Sequence, residues 1–173
     1  MRLVGFAAGV CAVVALTGCS TAVDGQPEAS GAPLTKEQLF DPCTVSDSVL
    51  QAAGADPASK DDNPFSSPRA DWKGCGWLAG DFFIDLFSTT YNMEKFRENR
   101  LLHDFQDVTI GDREGLQYLI GDATPPTECG LAFESSQGTI TLQSSKASSS
   151  RSTADPCTVV NNAAPHFMRI LPG

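Results

Sequence analysis

Cations are scarce in this 173-residue chain: 12 lysines and arginines stand against 21 aspartates and glutamates, a formal charge of −9. Binding to nucleic acid needs a basic patch, so that class is excluded. Histidine occurs only twice. No apolar run reaches the roughly 18 residues of an ordinary membrane-spanning helix. The chain has no Cys-x-x-Cys pair, no Gly-x-Ser-x-Gly elbow, no glycine-rich phosphate loop and no Asp-x-Asp-x-Asp-Gly calcium loop. These absences remove the signatures of zinc and thioredoxin-like redox sites, serine hydrolases, nucleotide binding and EF-hands. No metal, cofactor or catalytic residue is therefore assigned. Hydrophobic residues make up 41% of the chain, which is enough apolar content for one core.

What is present starts at the N-terminus. Met1-Arg2 is a short positive start, and Leu3 to Leu16 are 14 residues without a charge, the length of a signal-peptide hydrophobic region. Leu16-Thr17-Gly18-Cys19 comes next, a leucine and two small residues before a cysteine, and it resembles a bacterial lipobox. Small residues let the backbone enter a peptidase site, and the Cys19 thiol can take a lipid by thioether formation. The expected organisation is a lipoprotein signal peptide at 1–18, a lipidated Cys19 with a flexible tether over 19–36, and one cysteine-bridged domain at 37–173. Pro, Gly and small polar residues dominate the tether, without apolar periodicity.

Within the domain, Asp41-Pro42-Cys43 reads as a capped helix start, with Ser46 as a second cap and Gly54 as the stop. Residues 60–70 form a loop. Residues 72–79 and 81–89 read as a hairpin turning at Gly80-Asp81. A helix is expected over 91–103, then short strands at 105–110 and 115–120. A second hairpin is expected at 131–134 and 138–143. Residues 157–171 read as a closing helix, its apolar stripe running through Val160, Ala163, Ala164, Phe167 and Leu171, with Pro165 expected to kink or split it. Together these give an α+β fold: a single twisted, mainly antiparallel sheet with helices packed against it.

Asp41-Pro42-Cys43-Thr44-Val45 recurs letter for letter as Asp155-Pro156-Cys157-Thr158-Val159, and Cys75-Gly76 recurs as Cys129-Gly130. An exported domain with four cysteines reads as two disulfides. Of the three connectivities, Cys43–Cys75 and Cys129–Cys157 pair each capped helix with the strand nearest in sequence. The lipobox, the two Asp-Pro-Cys starts, the Cys75-Gly76-Trp77 strand and the final Leu171-Pro172 resemble a known family. It comprises actinobacterial cell-envelope lipoproteins of the mycobacterial LprB and LprC type, which carry a single domain of unknown function (domain of unknown function 3558). The resemblance implies a lipid-anchored envelope protein at the extracytoplasmic face of the cell membrane. It transfers no catalytic residue.

On the second strand Phe82, Ile84 and Leu86 point one way, and Phe83 and Phe87 the other, beside Asp81 and Asp85. Either the 91–103 helix covers Phe83 and Phe87, or they form a candidate binding surface with Trp72. The carboxylates read as a solvated acidic face. His103 falls near the end of the expected helix. Neighbouring helical residues are turned about 100° apart, so Asp104 would orient it poorly. His166, after Pro165 on the final helix, reads as a surface residue or a satisfied, partly buried group. The function expected is a non-catalytic binding module of the envelope, anchored to the membrane through the lipid on Cys19, its ligand an envelope protein or small molecule. The alternatives are a lipid-carrying or structural accessory protein, and a small envelope hydrolase.

Overall fold

The computed structural model describes residues 33–173. The expected signal peptide at 1–18, Cys19 and most of the expected tether lie outside the described residues. Lys36, the last tether residue, opens a single 3-10 turn, Lys36–Gln38, and its ammonium donates to the Arg69 carbonyl at 2.6 Å.

Six strands run in chain order: β1 Trp72–Ala79, β2 Phe82–Thr89, β3 Leu102–Ile110, β4 Arg113–Ile120, β5 Glu128–Phe133 and β6 Thr139–Lys146. They form one open antiparallel sheet in the order β1-β2-β6-β5-β4-β3. Among the described residues three α-helices accompany it: α1 Asp47–Ala52, α2 Met93–Arg97 and α3 Pro156–Met168. None of the described helices is long and apolar enough to cross a membrane.

The inner face of the sheet carries the main core. Trp77, Ile84, Leu86, Leu131, Phe133 and Leu142 project from it, each at most 1% exposed. α3 lies across β5 and β6 and contributes Val160, Ala164 and Phe167, all fully buried. Both disulfides sit on this face. Cys43–Cys75 ties an N-terminal turn to β1, and Cys129–Cys157 ties the start of α3 to β5, with Cα separations of 5.2 and 5.0 Å.

The repeated pentapeptide caps twice and makes a helix once. The Asp41 carboxylate accepts from the Cys43 N–H at 3.0 Å, and the Asp155 carboxylate accepts from Cys157 and Thr158 at 3.3 and 3.0 Å. Only the second copy continues as a helix. The helix expected from Pro42 is a single turn, Pro42–Thr44, because Val45 is extended and sends its side chain into the core. α1 restarts after Ser46, whose hydroxyl meets that of Ser48 at 3.1 Å instead of capping.

The helix expected over 91–103 is corrected to the five residues of α2. Asn92 caps it, accepting from the Lys95 N–H at 2.9 Å. Asn99 then stops it: its side chain accepts from the Leu101 N–H at 3.1 Å and its carbonyl from Leu102 at 3.0 Å. That local turn competes with a further helical turn, and Leu102 is released into β3 opposite Ile120. α3 runs unbroken through Pro165 and ends at Met168 rather than 171. The Pro165 ring is exposed, on the solvent side of the last turns, where losing one backbone donor costs least.

Each disulfide closes a loop of about 30 residues, for which chain-entropy arithmetic gives about 3.5 kcal/mol. Cys129→Ser with Cys157→Ser is expected to lower unfolding free energy by roughly 3 kcal/mol, read by urea denaturation. Peptide mapping without reductant is expected to recover only the 43–75 and 129–157 links.

Candidate functional site

The outer face of the sheet is covered in two places. At one end the 60–70 loop folds over β1 and β2. Phe65 stacks on Phe87 with ring centroids 4.5 Å apart, and Trp72 meets Phe65, Phe87 and Tyr91 edge-on at 5.8, 6.2 and 5.8 Å. Gly74 makes room for this: a Cβ there would lie 2.5 Å from the Phe87 ring. At the other end α2 sets Phe96 against Tyr118 at 5.0 Å, with Leu102 and Leu116 beside them.

Trp72 and Phe87 therefore come together, and Phe83 does not join them. Phe87 is 5% exposed, and its cover is the 60–70 loop, not the 91–103 segment. Phe83 lies four residues back along β2, is 42% exposed, and faces Leu78 of β1, itself 37% exposed.

Beside the aromatic cluster is a cleft of about 510 Å³ lined by Lys36, Asp62, Phe65, Arg69, Trp72 and Lys73. Its cations already have partners within the chain. Lys36 donates to Arg69, Lys73 donates to the Leu39 carbonyl at 2.8 Å, and the Arg69 guanidinium sits 4.7 Å above the Phe65 ring. Lys36 and the Arg69–Phe65 contact brace the loop, and the Phe65–Phe87 stack with the Asp61–Gly76 bridge holds it to the sheet.

A polar strip crosses the middle of the outer face: Gly76, Asp85, Gln143, Gly130 and Tyr118 follow one another across five strands. The two glycines let large polar groups lie flat, since a Cβ at Gly76 would strike the Asp85 carboxylate and one at Gly130 the Tyr118 ring. Gln143 donates to the Tyr118 hydroxyl at 3.0 Å, and burial pushes that phenol well above its usual pKa. Asp85 is half-buried. Desolvation, with repulsion from Asp61 and Glu128, raises its pKa from 3.8 to about 7. Burial also raises Glu128. The reading of a uniformly solvated acidic face fails here. The signal lay in a lone Asp within the apolar run Phe82-Phe83-Ile84-Asp85-Leu86-Phe87.

His103 lies on β3 and not near a helix end, and the expectation that Asp104 orients it poorly is corrected. A bulge in β3, with Asp104 at φ 52°, swings that carboxylate to 3.3 Å from His103 Nδ1, while Nε2 meets the Gly121 carbonyl at 2.5 Å. The adjoining cleft is lined by Arg100, Leu101, His103, Gly121 and Asp122, none of which carries a nucleophilic hydroxyl or thiol. His166 is exposed on α3. Among the described residues no group of three or more His, Cys, Asp or Glu side chains is placed to hold a metal ion.

The family model described as protein of unknown function (DUF3558) matches residues 14–168, a span that takes in the Leu16–Cys19 box and all four domain cysteines. Neither a curated protein nor a solved structure matches the chain.

The raised Asp85 sets a pH dependence opposite to that of an ordinary paired carboxylate. Between about pH 4 and pH 7 the folded protein keeps a proton that the unfolded chain releases, so stability is highest below that window and falls through it. Melting temperature is expected to drop between pH 5 and pH 8. Asp85→Asn should flatten the drop and stabilise the protein at pH 8 by on the order of 1–2 kcal/mol once solvent screening is allowed for. Calorimetry across that range checks both.

Proposed function

The chain belongs to the DUF3558 family, and we propose that it is an exported lipoprotein, of the actinobacterial LprB and LprC type. In this reading lipid on Cys19 holds it at the outer face of the cell membrane, where its folded domain serves as a non-catalytic binding module. The observation that carries the reading is the pair of inner-face disulfides in a domain that follows the Leu16-Thr17-Gly18-Cys19 box. Disulfides persist outside the reducing cytosol, and the box supplies both the export signal and the anchoring thiol. A single acyl chain binds membranes marginally, so stable anchoring requires at least two on or near Cys19.

The binding role is supported by the outer face. It is a rigid sheet surface with a short polar strip, and at one corner it exposes two large apolar side chains. His103 and Asp104 are paired, but the adjoining cleft brings them no nucleophile, which favours recognition over hydrolysis.

Cys19→Ala is expected to abolish incorporation of labelled palmitate and to move the protein out of the membrane fraction. Its melting temperature should stay unchanged, because Cys19 lies outside the disulfide-bonded domain. Palmitate uptake by the variant would overturn the anchor. Hydrolytic activity in purified protein that disappears with His103→Ala would replace the binding module with an enzyme.

A further inference from the structure

Two independent features meet at one corner of the outer face. The first is apolar: Leu78 and Phe83 face each other across β1 and β2 and are 37% and 42% exposed. Pro64 lies near Gly74 and Gly76, and Phe96 lies on Tyr118, but among the described residues nothing covers Leu78 and Phe83 to that extent. The second is electrostatic. Phe83 pairs with Ser145, which pairs with Glu128, so the Glu128 carboxylate is in the same row. Asp85 is the next outward residue along β2, and Asp61 is bridged to Gly76, directly opposite Asp85.

Three carboxylates thus flank the apolar pair, and none of them has a cation among the described residues. The ion pairs among those residues are Arg97–Asp107 and His103–Asp104, both elsewhere. The groups facing Asp85 from neighbouring elements are Asp61 and Glu128, and the β6 residues beside it, Gln143 and Ser145, are neutral. Leu78 borders an open depression with Pro57 and Gly80, but Phe83, Asp85 and Glu128 do not line it and lie on strand surface, whereas small ligands are bound in concavities that enclose most of their area. A protein segment suits it better.

We propose that this corner docks a protein segment that carries a lysine or arginine beside an aliphatic or aromatic side chain. The apolar group covers Leu78 and Phe83, and the cation meets Asp85 and Glu128. The proposal rests on the binding-module reading and names the partner's chemistry. A cation at Asp85 favours its ionised form, so docking displaces the proton held there near neutrality, and affinity rises with pH.

The test is a titration of the ¹⁵N-labelled full chain with a synthetic peptide alternating leucine and lysine, and with its leucine–glutamate counterpart. Saturating amide shifts at Leu78, Phe83, Asp85 and Glu128 are expected with the lysine peptide alone, with tighter binding at pH 8 than at pH 6. Phe83→Ala, an exposed substitution whose fold the same spectrum verifies, should weaken binding about tenfold. Asp85→Asn should weaken it and remove the pH dependence. Shifts centred elsewhere, equal binding of the glutamate peptide, or no effect of Phe83→Ala would each overturn the proposal. So would concentration-dependent self-association abolished by Phe83→Ala, which would make a second copy the occupant. Failure here with palmitate labelling at Cys19 intact removes only the partner chemistry. Loss of labelling with peptide binding intact removes only the anchor.

Discussion

A six-stranded sheet has two faces to bury, and the described residues supply one long helix. That mismatch governs most of the architecture. α3 is spent on the inner face, where Phe167 and Val160 complete a core with Trp77 and Phe133. Both disulfides reinforce that side, because Cys75 and Cys129 point inward and their partners lie on the covering segments. The outer face is left to a loop, a five-residue helix and its own side chains. Glycines at 74, 76 and 130 let Phe87, Asp85 and Tyr118 lie flat across it, so the sheet covers part of that face with its own large residues. The remaining corner has no cover among the described residues.

The inner half of this arrangement was legible in the sequence because it obeys periodicity and chemistry that act over short distances. Alternation in Phe82–Leu86 and Ile140–Leu142 marked the strands. The repeated Asp-Pro-Cys marked two capped starts, and nearness in sequence picked the bridges that form. The misread segment, 91–103, has a mixed charge pattern compatible with a helix, and its fate turns on one side chain: Asn99 folds back on Leu101 and ends the helix. From Leu102 onward the chain is strand. Periodicity does not register a single competing hydrogen bond of that kind.

The outer face was legible only as a question. Sequence shows that Phe83, Asp85 and Phe87 share a side. Which of them is covered depends on where a proline-containing loop lands, and no local pattern encodes that. Phe65 settles the matter by stacking on Phe87. The carboxylate group at Asp61, Asp85 and Glu128 draws on a bridge residue and two strands far apart in the chain, so no spacing rule could assemble it. The one local hint was the isolated aspartate in an apolar strand, and burial explains why that position is unusual.

The two edges of the sheet are finished differently. Along β1, Asp61 exchanges both backbone bonds with Gly76 at 2.8 and 2.9 Å, the Asp56 N–H donates to the Leu78 carbonyl at 2.8 Å, and the Ser59 hydroxyl accepts from the Leu78 N–H at 2.7 Å. That edge offers little backbone for another strand to pair with. β3 is the other edge, and the bulge between His103 and Gln106 interrupts its ladder, leaving a regular stretch of only five residues, Gln106–Ile110. Stacking of such sheets edge to edge into a growing ribbon would need two long matching borders, and this domain presents one sealed border and one broken border. Backbone pairing between copies is therefore disfavoured at both borders, which leaves any contact between copies to side-chain surfaces.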